Sequence, residues 1–305
     1  MNRYLPEGEL SKCPACISET EEYIKKGIIA EALCTMCTGE HDLIVDLGFI
    51  KGRISRCEGA IGIESGDTRD IALISRVNKP VCFHILGFKE NRGGDNIAVL
   101  SRRLAQEECM DNYISKLDCG DIINAKVTHM EQFGAFVDIG CGISSLIPID
   151  LISISRISHP SDRFYIGQNI KAVVKCIENG KITLSHKELL GTWLQNAGNF
   201  SIGETVTGTV RSIESYGIFV ELKPNLAGLA ELKPGITVGS KVSVYIKAII
   251  PEKMKIKLII VDTFECTQKE KPPEAEYYIS SGSLKSWKYS VEGSEKQIIT
   301  EFDRQ

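Results

Sequence analysis

The feature that most constrains this chain is repetition. Residues 120–139, GDIINAKVTHMEQFGAFVDI, align without a gap on residues 203–222, GETVTGTVRSIESYGIFVEL, at an offset of 83 residues. The alignment pairs Gly120 with Gly203, Phe133 with Tyr216, Gly134 with Gly217 and Phe136 with Phe219. A chain that repeats itself in this way folds as one module used several times, and the chemistry of the module is most of the chemistry of the protein. Length alone, 305 residues, suggests about two domains. The repeat argues instead for three modules of roughly seventy residues, near the lower limit for independent folding.

The third copy is worn. GIIAEALCTMCTGEHDLIVDLG (27–48) ends in LIVDLG where the clear copies have AFVDIG and IFVELK, and NIAVLSRR (96–103) is the counterpart of KITLSHKE (181–188). The organisation expected is a lead-in over 1–26 with a helical turn in SETEEYIKK, a degenerate module over 27–104, modules over 118–188 and 203–262, and a linker with a small appendage over 263–305. No chemistry is assigned to the appendage. Between the modules, AQEECMDNYISKL (105–117) and ELLGTWLQNAGNF (188–200) space their apolar residues as short helices do.

Inside a module the pattern is strand: runs of four to seven residues rich in Val and Ile, broken by Gly, Asn and Pro. Several short strands in seventy residues, closing on themselves, predict an all-β fold of three tandem five-stranded barrels of the OB type joined by short helical connectors. Strand parity then sorts core from surface. Ala135, Val137 and Ile139 share one face, and Phe136 shares the other with Asp138; Ile218, Val220 and Leu222 lie opposite Phe219 and Glu221. A ring that shares a face with a carboxylate reads as solvated, and a large exposed ring needs a reason. Strict alternation points Phe133 and Tyr216 inward, unless Gly134 and Gly217 permit a bulge or an unusual backbone angle that swings them to the same face as Phe136 and Phe219.

These residues carry a family resemblance. FGAFVDI (133–139) and YGIFVEL (216–222), each followed by a turn and a closing strand, KITLS (181–185) and KIKLI (255–259), resemble the S1 RNA-binding domain. RISHPSDRFYIGQ (156–168) is similar to that family's long loop before the fourth strand. The likeness covers about 27–262, and the arrangement resembles the short, three-repeat ribosomal protein S1-like chains of bacteria. It implies single-stranded RNA, mRNA included, bound across the aromatic strand, with Phe133, Phe136 and Lys181 as the surface of the second module. In the third module the implied surface is Tyr216, Phe219, Lys255 and Lys257. It also implies a partnership with the small ribosomal subunit. A histidine common in the family after the third strand is replaced by Pro148 and Glu231, and the first module holds His41 and Ile44 at the aromatic positions. That module is expected to be structural or to contact protein. The rival reading is a scaffold or regulator that uses the same barrels to bind ribosomal or RNA-degradation proteins.

Other classes find less support. Cys13, Cys16, Cys34 and Cys37 form C-x2-C-x17-C-x2-C, the spacing of a tetrahedral zinc site and the sharpest competing signal, which would suit a zinc-dependent nucleic-acid factor. Against it, Cys34 and Cys37 fall within the expected first strand, where residues three apart point to opposite faces. No cofactor is therefore assigned. His129, His159 and His186 have no Cys or Asp at a ligand or triad spacing, and Gly93-Gly94 with Asp95 reads as a turn. With no G-x-S-x-G, P-loop or zinc-hydrolase motif, the chain is read as a non-enzyme. The opening MNRYLPEGELSKC lacks the pattern of a secretory signal, no apolar run reaches the roughly 18–20 residues of a membrane helix, and eleven cysteines suit a reducing compartment. The expectation is a cytoplasmic protein with no membrane partner.

Net charge is −4, and only residues 203–262, at +2, are basic among the module regions. Binding to a polyanion must then lean on stacking, worth roughly 1–3 kcal/mol per base and indifferent to base identity, rather than on phosphate contacts. The expected salt dependence of RNA binding is shallow. A titration of affinity against salt whose slope matched about eight or more phosphates would overturn this ordering of forces.

Overall fold

Short apolar strands cannot satisfy their backbone groups or bury a face singly, and in this chain they do so in closed sets of five. The computed structural model describes residues 4–90, 96–178, 180–264, 271–272 and 274–303. The expected turn at Gly93-Gly94-Asp95 lies outside the described residues, as does part of the expected linker. Two compact units are present: Met1–Leu117 with Asn124–Lys126 and Asp138–Ser144, and Asp118–Ile123 with Val127–Val137 and Ser145–Gln305.

In the first unit, α1 (Ile17–Lys26) is a full helix rather than a single turn, closed by Gly27 in the left-handed region at φ 56°. The first barrel follows: β1 (Ala30–Cys37), β2 (Leu43–Asp46), β3 (Lys51–Ile54), β4 (Lys79–Glu90) and β5 (Asn96–Ser101), with the short α2 (Ile71–Ile74) between β3 and β4. Its strands close in the order β1-β2-β3-β5-β4, β5 running parallel to β3. Leu43, Val45, Ile54, Val81, Phe83, Ala98 and Leu100 fill it. The connector α3 (Arg102–Asn112) starts where Ser101 caps it, accepting the Leu104 N–H at 3.0 Å.

The second barrel is built from β6 (Ile122–Glu131), β7 (Gly134–Asp138), β8 (Ser144–Pro148), β9 (Asn169–Glu178) and β10 (Lys181–Ser185). After α4 (Trp193–Ala197), β11 (Thr205–Glu214), β12 (Gly217–Lys223), β13 (Leu226–Ala230), β14 (Lys241–Ile250) and β15 (Lys255–Phe264) make the third. Both repeat the same closure, three strands in a meander with the fifth beside the third and the fourth returning to the first. Three closed five-stranded barrels joined by short helices is the architecture that the repeat and strand pattern anticipated. The two glycines flanking α4 do not weaken it. Thr192 and Gln195 form a reciprocal capping box at its start, and Gly198 follows its end.

The appendage forms a hairpin, β16 (Ser286–Lys288) with β17 (Ile299–Glu301), and it has a structural role that the sequence did not reveal. Ile122 donates to the Gly282 carbonyl at 3.0 Å and Leu284 to the Gly120 carbonyl at 2.9 Å, so the segment runs along the start of the second barrel. Gly120 is glycine for that reason: at φ 95°, a Cβ there would lie 1.9 Å from the Leu284 carbonyl oxygen. Trp287, Tyr289 and Phe302 belong to one continuous apolar cluster. It runs from Val173 on β9, through Leu189, Trp193 and Ala197 of the connector, to the interior of the third barrel. Modules two and three are thus not independent beads; they share packing with the hairpin.

His186, just past β10, is wholly buried. Its ring meets Phe164 edge-on at 5.0 Å, and its nitrogens lie 3.1 Å from the Ile152 carbonyl and 3.2 Å from the Tyr277 hydroxyl. Burial, helped by the nearby Arg163, holds its pKa down to about 4. The unfolded chain takes up this proton near pH 6.5 and the folded chain only near 4. The associated stability is therefore complete above about pH 6.5 and is lost as pH falls toward 4, by about 3 kcal/mol. Chemical denaturation followed across that window should show a steeper acid loss in the wild type than in His186→Gln; equal slopes would refute the assignment.

Candidate nucleic-acid interface

The aromatic pairs are placed by two hairpins. β6 and β7 are joined by a two-residue turn at Gln132 and Phe133, and β11 and β12 by one at Ser215 and Tyr216. Phe133 and Tyr216 are therefore turn residues, outside the strand alternation that would have pointed them inward. They stand 57% and 68% exposed. Each meets the half-buried ring two strand positions beyond its glycine: Phe133 contacts Phe136 edge-on at 5.9 Å and 88°, and Tyr216 contacts Phe219 at 6.0 Å and 89°. The same T-shaped pair is formed twice, a geometry favoured by the ring quadrupoles.

Gly134 and Gly217 act by close approach rather than by a bulge. A Cβ at Gly134 would lie 2.5 Å from the Ile147 carbonyl oxygen, and one at Gly217 would lie 2.7 Å from that of Ala230. The third strand of each barrel presses against these glycines. Leu146 and Leu229, one residue before those carbonyls, lay their side chains over the bare Cα positions. Both leucines are half-buried, and they extend each aromatic pair into an apolar shelf that parity alone did not single out.

Register locates the lysines. In the third barrel Phe219 pairs with Leu229, and Leu229 with Lys257, so ring, leucine and ammonium form one row across β12, β13 and β15. In the second barrel Leu146 pairs with Thr183, so the cation of that row is absent there. Lys181 and Lys255 are exposed at the first residue of the fifth strand, opposite Glu178 and Ile250. The second barrel has a different addition: His129 on β6 stacks near Phe136, with ring centroids 6.1 Å apart and planes at 28°, and its Nε2 lies 2.6 Å from Glu131. Its counterpart in the third barrel is Ser212.

The carboxylates that marked these strands as solvated are themselves buried. Asp138 accepts the backbone N–H groups of Glu7 at 2.7 Å, Gly140 at 2.8 Å and Gly142 at 3.1 Å. Glu221 accepts from Arg163 and from Arg211, both at 2.6 Å, and Arg211 reaches Asp162 at 3.3 Å. The long loop before β9 thus supplies Arg163 to the third barrel, an ion pair removed from water. His159 in the same loop accepts the Ser161 N–H at 3.1 Å within a short turn. Glu231, at the position where the family often has histidine, is exposed just beyond β13.

The first barrel presents something else. At the row equivalent to Phe219–Leu229–Lys257 it has Ile44, Arg53 and Val99, with Met36 beside Ile44 on β1. Asp42 and Glu40 hold the Arg53 guanidinium, next to a depression of about 380 Å3 lined by Thr38, Gly39, Glu40, Ile44, Arg53 and Ile97. His41 takes a left-handed conformation, φ 64°.

The four cysteines at zinc-like spacing are dispersed in function. Cys16 is exposed at the N-cap of α1, and Cys34 is buried in the first barrel. Cys34 and Cys37 do not face opposite ways, because a bulge between Cys34 and Met36 turns Cys37 toward the same core. Cys13 packs against that core as well. Burial pushes the Cys13, Cys34 and Cys37 thiols up from their ordinary value. Among the described residues no group of three or more His, Cys, Asp or Glu side chains is disposed to hold a metal ion.

Residues 116–187 match the family model of the S1 RNA binding domain, so the second barrel is an S1 domain. Beyond it, the chain is similar to curated ribosomal proteins, among them the following two. Small ribosomal subunit protein bS1 of Rhizobium meliloti (strain 1021) is 30% identical over 230 residues, 68% of this chain and 40% of that protein. The bS1 protein of Staphylococcus aureus (strain MRSA252) is 30% identical over 207 residues, 61% and 53% of the two lengths. The chain spans about half the length of the curated relatives it matches. A crystal structure of a multidomain protein with nucleic acid binding domains from Streptococcus pneumoniae covers 79% of this chain and 75% of that one. At 10% identity and a TM-score of 0.24, that likeness is too loose to bear on fold or function.

The close approach at the two glycines generates a test. Gly134→Ala and Gly217→Ala each place a methyl against a backbone carbonyl that cannot move without opening the sheet, and each should destabilise its barrel by about 1–3 kcal/mol. Denaturant midpoints equal to the wild type would show that the third strands are not held against these positions.

Proposed function

We propose that this protein binds single-stranded RNA, mRNA among its targets, across the aromatic shelves of its second and third barrels. The supporting observation is the duplicated edge-to-face pair, Phe133 with Phe136 and Tyr216 with Phe219, one copy of which lies in a matched S1 domain. An outward ring backed by a leucine offers a flat apolar surface to an unstacked base, and only single strands present such bases. Lys257, Lys255 and Lys181 stand on the fifth strands to meet the backbone. The third barrel, with Lys257 in the same row as its ring, takes phosphate more readily than the second, where Thr183 stands.

The reading extends to a partnership with the small ribosomal subunit, which the similarity to bS1 proteins supports, and to a non-enzymatic protein of the cytoplasm. In it the first barrel contacts protein. Its equivalent row is aliphatic, Met36 is 51% and Leu33 47% exposed, and its one guanidinium there is already paired with carboxylates.

Binding to unstructured oligoribonucleotides, followed by fluorescence anisotropy, tests the central claim. Phe133→Ala, Phe136→Ala, Tyr216→Ala and Phe219→Ala should each weaken affinity by about five- to 150-fold, the equivalent of 1–3 kcal/mol per stacked base. Combining the two barrels' substitutions should remove RNA retention while leaving the folded state intact. Unchanged affinity in the combined variant would refute the proposal, and retention of ribosomal proteins by that variant would favour the scaffold reading instead.

A further inference from the structure

Three of the chain's cysteines converge although the sequence scatters them. Cys82 on β4, Cys109 on α3 and Cys141 in the turn between β7 and β8 all belong to the first compact unit, and all are free thiols with 1% exposure or less. Cys141 is the middle member, with the Cys82 and Cys109 thiols both within hydrogen-bond reach of it, while the Cys82 thiol also reaches Glu31 Oε2 at 3.6 Å. Its backbone is fixed on both sides, its N–H donating to the Leu5 carbonyl at 2.9 Å and its carbonyl accepting from Gln106 Nε2 at 3.2 Å. Its backbone is left-handed, φ 49°, in the turn that leaves β7. Next to it, the Gly140 backbone comes so near α3 that a Cβ would lie 3.0 Å from the Cys109 sulfur.

The cover over this cluster is a strap, the segment that includes Leu5, Pro6 and Glu7. Glu7 latches it through Arg102 Nε at 2.7 Å and Arg76 NH1 at 3.2 Å, and Glu7 also accepts the Cys82 N–H at 3.2 Å. Local opening of this strap, without unfolding of the barrels, is what would uncover the cluster.

We propose that Cys141 is a site of oxidative modification, closing a disulfide to Cys109 or Cys82 with a peroxide as oxidant. When the strap opens, the Cys141 sulfur attacks one peroxide oxygen and the O–O bond breaks. The products are a sulfenic acid on Cys141 and one molecule of water. The thiol of Cys109 or Cys82 then attacks the sulfenic sulfur, the S–S bond forms, and the hydroxyl leaves with the thiol proton as a second water. Two thiols lose two electrons in total and the peroxide gains them. The third thiol, already in contact, can attack the new bond and exchange partners without further oxidant. Contact with the Cys109 and Cys82 thiols, with Arg102 nearby, holds the Cys141 thiol down to about 5, toward the thiolate that reacts.

The bland alternative is three small side chains packed for their volume, and the two readings part under oxidant. The full chain is treated with hydrogen peroxide, alkylated, digested without reductant and mapped by mass spectrometry, with exposed Cys16 as the reference thiol. The expected product joins a Cys141 peptide to a Cys109 or Cys82 peptide and is reversed by dithiothreitol. Cys109→Ser should divert the link to Cys82, and Cys141→Ser should abolish both links. If Cys16 is consumed while Cys82, Cys109 and Cys141 all remain alkylatable after denaturation, the proposal fails. It fails equally if the links form only in urea. Neither result bears on RNA binding by the second and third barrels.

Discussion

The arrangement rests on an absence of atoms at two positions. Gly134 and Gly217 let the third strand of each barrel approach the second until a carbonyl oxygen occupies the space that a methyl would need. That approach brings Leu146 and Leu229 over the glycines and against the paired rings. The turn that precedes each glycine then has only one side on which to set its aromatic residue. Ring, ring and leucine follow from one steric condition, and the condition is met twice because the segment is repeated.

Electrostatics in this molecule serve packing more than attraction. Glu221 lies in a pair of guanidinium contacts out of water, and Asp138 accepts three backbone N–H groups. Removing Arg163 or Arg211 would leave the buried Glu221 charge short of a partner, which costs far more than an exposed pair contributes. With these partners, Asp138 and Glu221 are withdrawn from the outer face, where Glu131, Glu178 and Glu231 remain exposed.

Much of the fold was legible because it depends on local pattern. Val and Ile runs, glycine punctuation and the 83-residue offset led to barrels, and parity correctly set Ala135, Val137, Ile218 and Val220 inside while Phe136 and Phe219 turned outward. The failures have one kind of cause, a partner distant in sequence or a break in register. Phe133 and Tyr216 escaped alternation because they sit in turns. Cys37 escaped it through a bulge. Asp138 and Glu221 looked solvated because nothing in their own strands discloses Glu7, Arg163 or Arg211. The contribution of Leu146 and Leu229 required knowing which strand lies beside which, and the segment around Trp287 carries no repeat to announce its place.

That last segment has a consequence for how the molecule comes into being. Trp287, Tyr289 and Phe302 complete an apolar cluster that reaches the interior of the third barrel and the flank of the second. During synthesis from the amino end, the strands of both barrels are made before these side chains exist, and Val173 and Trp193 then lack part of their final cover. Final packing of nearly two thirds of the chain therefore waits on residues 284–302, and a nascent chain stalled before them would expose a sticky flank to chaperones and proteases.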